Sequence, residues 1–276
     1  MSIRTTRVSN YRTFSRVFSS ATRLALGCLL AGGLAATARA SFTETYDDGT
    51  DVGHWVAAFS QPRNFEPNGG NPGVYLEQDG FSSHTPTWGT ASPDYQPGFN
   101  DTYKTHSVFV DDWTDAGVVS LSADMNIFQA GGWGPDRGVT LQLLQMDSTG
   151  FNVNFSATYS MDLGEEPPVG WQTYSFPVNA DSPTVPAGWV FTDGNGDPGT
   201  DAEWSQFLRN VDLTTIGYYK PGFAYVGFGT WTLGIDNIHI ETVPEPGAMA
   251  LLAIGLAGLG GGALAQMRRR KWAAAR

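Results

Sequence analysis

The sequence is short of cysteine, histidine and basic residues. Its single cysteine, Cys28, lies near the N-terminus, so the remainder can form neither a disulfide nor a cysteine-ligated metal site. The four histidines are scattered without metal-ligand spacing. All 27 acidic residues follow residue 40, and this acidic region argues against nucleic acid or anionic lipid as a partner. Between residues 41 and 243 the basic residues are Arg63, Lys104, Arg137, Arg209 and Lys220.

Motifs for catalysis are missing as well. The sequence has no G-x-S-x-G nucleophile motif, and no Glu-x-Asp-x-Glu string that would place two glycosidase carboxylates about 5 Å apart on one strand face. Adjacent pairs such as Asp47-Asp48 point to opposite faces of a strand. We therefore expect a protein without enzymatic activity. A hydrolase or lyase remains the alternative if its carboxylates converge only in the fold.

The N-terminus has the three parts of a secretory signal peptide. Arginines precede an apolar stretch from Leu24 to Ala36, and Ala38-Arg39-Ala40 matches the A-x-A pattern that signal peptidase cleaves. Residues 1–40 are predicted to be a signal peptide. The mature chain then begins at Ser41 and contains no cysteine.

The C-terminus has a stretch of membrane-spanning length. No residue from 247 to 267 is charged, and as a helix this stretch spans about 31 Å, enough to cross a bilayer core. A basic tail, residues 268–276, follows and favours the cytoplasmic side. Its stop-transfer cluster is Arg268, Arg269, Arg270 and Lys271. The preceding chain is therefore predicted to lie outside the membrane.

A short motif directly precedes the predicted transmembrane helix. It consists of Val243, Pro244, Glu245 and Pro246. Motif, helix and basic cluster, residues 243–276, together resemble the PEP-CTERM sorting signal of Gram-negative bacteria that export polysaccharide. The resemblance implies an exosortase-type membrane protease as partner, membrane insertion before processing, and a final location on the outer surface or in the extracellular matrix. The alternative is an ordinary C-terminal anchor.

The region between the two ends, residues 41–242, is predicted to be an extracellular all-β domain. Apolar and polar residues alternate along 119–127 and 151–159, as in half-buried strands. Further strands are predicted at 139–146, 172–178, 223–228 and 233–240. Trp204, Phe207, Leu208 and Val211 have helical spacing and predict one short helix. Many short strands favour a two-sheet antiparallel jelly-roll sandwich.

Three stretches resemble strands of carbohydrate-binding-module-like jelly rolls: "FTETYDDGTDVGHW", "GWQTYSFPV" and "WTLGIDNIHIE". In such modules a calcium ion commonly links the first strand to an aspartate of the last. The resemblance therefore implies calcium at Asp236, with Glu44 or Asp47 as its partner.

A second possible calcium site lies in the segment "DGNGDPGTDAEW". Its oxygen-bearing side chains occupy alternate positions like those of an EF-hand loop. They are Asp193, Asn195, Asp197 and Asp201. Pro198 stands where such a loop needs glycine, and Trp204 where it needs a bidentate glutamate, so a full EF-hand is excluded. A solvated turn remains the alternative.

Sugar binding outside cells usually needs exposed aromatic faces next to amides and carboxylates. Trp88 and Tyr95 lie in a long turn-rich stretch, and Trp133 lies among glycines, so we predict that these three residues bind carbohydrate. Packing of the same rings as lids on the sandwich is the alternative. Trp55, Trp171, Trp189 and Trp231 are assigned to the core.

The sequence thus favours an exported surface or matrix protein that binds or embeds in extracellular polysaccharide. Two alternatives stay open: a secreted polysaccharide hydrolase or lyase, and a purely structural or adhesive surface protein. An aromatic platform favours the first hypothesis, a cleft with two close carboxylates the second, and a surface with neither the third.

Overall fold

The computed structural model describes residues 41–47, 51, 53–57, 64–81, 87–95, 107–130, 137–164, 166, 168–218 and 230–243. Within these ranges the chain forms twelve strands and one helix. In chain order they are β1 Phe42–Glu44, β2 Val56–Ala57, β3 Asn64–Gly70, β4 Gly73–Phe81, β5 Thr87–Ala91, β6 Val118–Ala130, β7 Arg137–Met146, β8 Val153–Gly164, β9 Gln172–Pro177, β10 Trp189–Asp193, α1 Asp201–Phe207, β11 Leu213–Gly217 and β12 Thr230–Thr242.

The strands form two antiparallel sheets with jelly-roll connectivity. Sheet A has the order β3-β4-β12-β6-β9, with β1 also paired to β12, and sheet B has the order β10-β8-β7-β11-β5-β2. Eight of these strands have the order of a jelly roll, with β4-β12-β6-β9 in one sheet and β5-β11-β7-β8 in the other. The predicted antiparallel sandwich with one short helix is confirmed.

The central strands of sheet A follow directly from the alternation in the sequence. Along β6, Leu121, Ala123 and Met125 are buried in the core, so the intervening polar residues lie on the outer face. β12 pairs with β6 over most of its length, with Gly234 opposite Asn126 and Asp236 opposite Asp124. The register therefore places these four residues on the outer face of sheet A.

The predicted short helix is present as α1, but it ends before two of the residues that predicted it: Leu208 is its C-cap and Val211 pairs with Asp111. Thr200 and Glu203 form a capping box, in which the Thr200 hydroxyl accepts from the Glu203 N–H and the Glu203 carboxylate accepts from the Thr200 N–H at 2.8 Å. Trp204 and Phe207 are buried against Trp189 and Phe191 of β10. The helix thus covers one part of the core and leaves the outer face of sheet A open.

Three of the four tryptophans assigned to the core lie there. Trp55, Trp189 and Trp231 are buried, and this part of the prediction is confirmed. Trp171 is only half-buried and contacts Tyr75 and Phe128. Its assignment to the core is wrong, because it precedes β9 and its ring lies across the outer face of sheet A.

The predicted terminal segments lie beyond the part of the chain that the structure describes. These are the signal peptide 1–40, Pro244 to Pro246 of the sorting motif, the transmembrane helix 247–267 and the basic tail 268–276. Within the described ranges, no helix combines the length and hydrophobicity needed to cross a membrane. The strand expected at 223–228 is also outside these ranges.

Candidate functional site

Three aromatic rings meet on the outer face of sheet A. Tyr75 on β4 lies 5.3 Å from Phe128 on β6, and Trp171 before β9 lies 5.4 Å from Tyr75 and 6.0 Å from Phe128, all between ring centroids. The Trp171 ring meets the other two nearly edge-on, at 79° and 85°, a favoured geometry for aromatic pairs. We call Tyr75, Phe128 and Trp171 the aromatic cluster.

The cluster can form because the strand beneath it carries a glycine. A methyl group at Gly234 of β12 would lie 2.8 Å from a ring carbon of Tyr75 and 2.9 Å from ring carbons of both Phe128 and Trp171. Real Cβ atoms essentially never approach other heavy atoms so closely. Gly234 therefore lets three rings from three different segments converge on one point of the sheet.

Exposure differs among the three rings. Tyr75 is buried, Trp171 is half-buried, and Phe128 keeps 45% of its surface exposed. The Trp171 indole N–H donates to the backbone carbonyl of Gly69 at 2.8 Å, which fixes the ring to β3. Tyr75 and Trp171 are therefore fixed in position, and the Phe128 ring is available to a ligand.

Hydrogen-bonding side chains flank the cluster in a row across the sheet. Gly234 pairs with Glu77 on one side and with Asn126 on the other, so all three lie on the outer face. The Tyr75 hydroxyl donates to the Glu77 carboxylate at 2.5 Å. Burial, and then the hydrogen bond to Glu77, raise the Tyr75 pKa far above its ordinary value, so this hydroxyl stays a donor. The face thus combines apolar rings with the half-buried Glu77 carboxylate, while the Asn126 amide beside them is buried.

The structure corrects the position of Trp88. We expected an exposed loop residue, but Trp88 lies in β5, is 0% exposed and belongs to the hydrophobic core. β5 pairs with β11 on one side and β2 on the other, which places Trp88 opposite Ile216. The interpretation as an exposed sugar platform is wrong for Trp88, because the turn-rich stretch around it contains a buried strand, Thr87–Ala91, that includes Gly89.

The other two residues predicted to bind carbohydrate have different outcomes. Tyr95 is half-buried in the segment after β5, and burial raises its pKa. Trp133 lies outside the described residues. Sugar binding by both stays a prediction.

A second polar group lies beside the turn between β3 and β4. Its carboxylates are Asp47, Asp124 and Asp236, which we call the acidic junction. The Asn71 N–H and the Asn237 N–H each donate to Asp236 at 2.7 Å. Asp124 accepts from the side-chain amides of the same two asparagines, at 3.1 and 2.8 Å. These bonds join β12, β6 and the β3–β4 turn.

Burial is the main cause of the unusual titration of Asp236. The side chain is 0% exposed, and burial, together with the charges of Asp47 and Asp124, raises its pKa to about 6 in spite of the two backbone hydrogen bonds. A cation would relieve this concentration of negative charge. Carboxylate and carbonyl oxygens are the ligands that Ca²⁺ prefers.

The two partners that the sequence left open for Asp236 make different contacts. Asp47 acts on Asp236 through its charge, and its carboxylate accepts from the Val74 N–H at 3.1 Å. Glu44 is buried and accepts from the Gly53 N–H at 2.9 Å. Calcium binding at Asp236, with Glu44 or Asp47 as its partner, stays a prediction. Within the described ranges no three acidic, histidine or cysteine side chains converge to hold a metal.

The loop at Asp193 is held by hydrogen bonds between its own residues. Asp193 accepts from the backbone N–H groups of Asn195 and Asp197, each at 2.9 Å, and these bonds, that of Asp197 foremost, lower its pKa. Asp201 instead accepts from the Val185 N–H at 2.9 Å. These hydrogen bonds are those of a turn, and calcium binding by this loop stays a prediction.

Comparison with solved structures adds a resemblance. The chain resembles carbohydrate-binding modules. It is similar to the family 11 module of a cellulosomal cellulase from Clostridium thermocellum, with 17% identity, 74% of this chain and 97% of that chain covered, and a TM-score of 0.40. A family 27 module of Caldicellulosiruptor saccharolyticus, solved with mannohexaose, gives 12% identity, 74% and 97% coverage, and a TM-score of 0.39.

A family 28 module specific for non-crystalline cellulose is similar at 14% identity, with 74% of this chain and 94% of that chain covered and a TM-score of 0.38. No family model and no curated protein matches the sequence. With such low scores, the jelly roll is established by the strand order of this chain itself.

The sequence contained an indication that Phe128 faces outward, but the predicted alternation ended one residue before it, at residue 127. One step further along β6, after the outward-facing Asp124 and Asn126, the next outward position is Phe128. An aromatic residue on the polar face of a strand is a candidate for binding, because a core role would put it on the other face. Tyr75 and Trp171 gave no comparable signal.

Proposed function

We propose that the domain binds a neutral extracellular polysaccharide on the outer face of sheet A. The observation that carries this proposal is the aromatic cluster, with Phe128 exposed above Gly234 and with Glu77 and Asn126 beside it. Aromatic rings pack against the apolar faces of sugar rings, while amide and carboxylate oxygens hold the hydroxyl groups.

The charge of this face restricts the ligand. Glu66, Glu77 and Asp79 all act electrostatically on Tyr75, so the surroundings of the cluster are negative. Uronate-rich or sulfated glycans would be repelled. A neutral glycan chain meets no such electrostatic repulsion, and its hydroxyl groups can donate hydrogen bonds to the carboxylates.

A binding role fits the structure better than hydrolysis does. A general acid must reach the glycosidic oxygen and have a raised pKa. Asp236 has the raised pKa, about 6, but its side chain is fully buried and bonded to the backbone at Asn71 and Asn237. Its raised pKa follows from its structural position.

The full chain, purified in mild detergent, tests the proposal in affinity gels that contain neutral or uronate-rich polysaccharide. We expect retardation by at least one neutral glycan, no retardation by polygalacturonate, and no release of reducing ends. Release of reducing ends would support the hydrolase alternative. No retardation by any glycan would favour a purely structural or adhesive protein.

We also propose that the protein is exported and sorted by an exosortase-type system. The order of signal peptide, motif 243–246, helix 247–267 and basic cluster supports this proposal. Mass spectrometry of the protein from its native host should find a mature form that begins at Ser41 and ends near Pro246. An intact helix in the secreted form would contradict the sorting proposal.

Calcium is proposed as a structural ion at the acidic junction, held by Asp47 and Asp236. The ion would neutralise part of the negative charge that Asp47 and Asp124 place beside Asp236. At 100 times its dissociation constant, a ligand of the folded state adds about 2.7 kcal/mol of stability. Calcium should therefore raise the melting temperature of the wild type, and the Asp236→Asn variant should lose this response.

The variant Asp193→Asn is the matched control for this experiment. If it keeps the response, the Asp193 loop is a turn and not a second calcium site. An unchanged melting temperature of the wild type with calcium and with chelator would exclude both sites.

A further inference from the structure

A polar cavity lies at one end of sheet B, away from the aromatic cluster. It has a volume of about 610 Å³ and is lined by parts of the β7–β8 turn, of β8 and of the segments that follow β5 and precede β11. This volume lies within the range of about 300–1,000 Å³ typical of small-molecule sites. Asp94, Ser148, Asn154, Asn210 and Asp212 are among its lining residues.

The wall of the cavity is held by internal hydrogen bonds. Asp212 is 2% exposed and accepts from the Met146 N–H at 2.8 Å, from the Ser92 hydroxyl at 2.9 Å and from the Asn210 amide at 3.1 Å. Asp147 accepts from the Asn152 amide at 2.8 Å and so holds the β7–β8 turn. The site is therefore formed before any ligand arrives.

Several polar atoms of the lining are left for a ligand. The Asn154 amide nitrogen donates to Gln145 at 3.1 Å, and that of Asn210 to Asp212, so both side-chain oxygens remain acceptors. Asp94 and Ser148 make no side-chain hydrogen bond to the described residues. An arrangement rich in acceptors suits a ligand with many hydroxyl donors.

Two aromatic residues directly follow lining residues of the cavity in the sequence. Phe151 directly follows Gly150 of the lining and is 65% exposed. Tyr95 directly follows Asp94 of the lining and is half-buried. The cavity wall supplies oxygen atoms for the hydroxyl groups of a sugar, and the exposed Phe151 is the nearest aromatic residue in sequence that could cover an apolar sugar face.

We propose that this cavity is a second carbohydrate site, which takes a neutral sugar residue of a glycan chain. The lining has no lysine, arginine or histidine, so an anionic sugar would find no counter-charge. A metal ion fits less well, because Asp147 and Asp212 already accept several hydrogen bonds.

Two sites on different sheets would let one molecule bind two glycan chains. The aromatic cluster is on sheet A and the cavity is at the end of sheet B, so one short oligosaccharide cannot occupy both. Bivalent attachment strengthens binding to a matrix without new contacts. This consequence rests on the proposed function of sheet A, whereas the cavity itself does not.

Isothermal titration calorimetry on the full chain in mild detergent tests the second site. The probes are neutral gluco-, manno- and galacto-oligosaccharides, with oligogalacturonate and calcium chloride as comparators. The variants are Phe128→Ala for the aromatic cluster and Asp94→Ala combined with Phe151→Ala for the cavity. Asp94 and Phe151 are exposed, so the melting temperature should change little.

We expect Phe128→Ala to keep saturable binding of a neutral oligosaccharide, and the added cavity substitutions to weaken it at least tenfold. Neutral polysaccharide should be crosslinked by the wild type and not by either variant. If Phe128→Ala abolishes all binding, the second site is wrong and the first stands. If only the cavity substitutions abolish binding, the first site is wrong and the second stands. Binding of only oligogalacturonate or calcium, or of no probe, overturns the second site.

Discussion

The substitution Phe128→Ala tests most directly whether the aromatic cluster binds sugar. Phe128 keeps 45% of its surface exposed, and a large aromatic side chain has roughly 200 Å² to bury. A sugar ring could therefore cover about 90 Å² of this side chain, worth about 2 kcal/mol by apolar area. The affinity for the bound glycan should then fall roughly 30-fold.

Calorimetric titration with the neutral oligosaccharide that binds best would measure this loss. The matched control is Val190→Ala, because Val190 is an exposed apolar residue of β10 in sheet B. The control should leave the affinity unchanged, and both variants should melt close to the wild type. If Phe128→Ala binds as well as the wild type, or if it loses affinity only together with its folded structure, the cluster is a structural element and not a binding platform.

Three further predictions concern stability and the geometry of the cluster. Trp88→Ala should lower the free energy of unfolding by about 3–5 kcal/mol in a denaturant titration and leave glycan affinity intact; a small loss would mean that Trp88 is not core. Gly234→Ala should separate the three rings, so the near-ultraviolet circular dichroism of the aromatic cluster and the affinity should both change; an unchanged spectrum would contradict the close approach. Burial raises the Asp212 pKa, so its stabilising effect is fully present below the ordinary pKa of about 4 and is lost as the pH rises through the raised value. Asp212→Asn should therefore remove part of this pH dependence, and identical slopes for the two proteins would refute the assignment.

Several elements of the fold could be predicted because their signals are local. The alternation from Val119 to Ile127 identified β6, and the helical spacing of Trp204 and Phe207 identified α1. These patterns appear in neighbouring residues, since a strand and a helix each repeat over a few positions. The turn at 147–152 was harder to predict. The alternation in the sequence suggested a strand from residue 151, whereas β8 begins at Val153.

Trp88 shows where local composition is misleading. Glycine and proline near it suggested a loop, yet β5 is an inner strand of sheet B. Its burial depends on pairing with Leu213–Gly217, which is distant in the sequence. Composition around a residue does not record such a partner, and tertiary context overrides local preference.

The sequence by itself determined the strand-rich, acidic character of the domain, the short helix, and the contiguous terminal segments on which the sorting prediction depends. Only the tertiary structure decided that Tyr75, Phe128 and Trp171 meet above Gly234, that Trp171 lies on the outer face of sheet A, and that the charge of Asp47 acts on Asp236. The physical reason is that periodicity and contiguous motifs are properties of neighbouring residues. A binding face is assembled by the pairing of strands far apart in the chain, and that pairing is set by the packing of the whole sandwich.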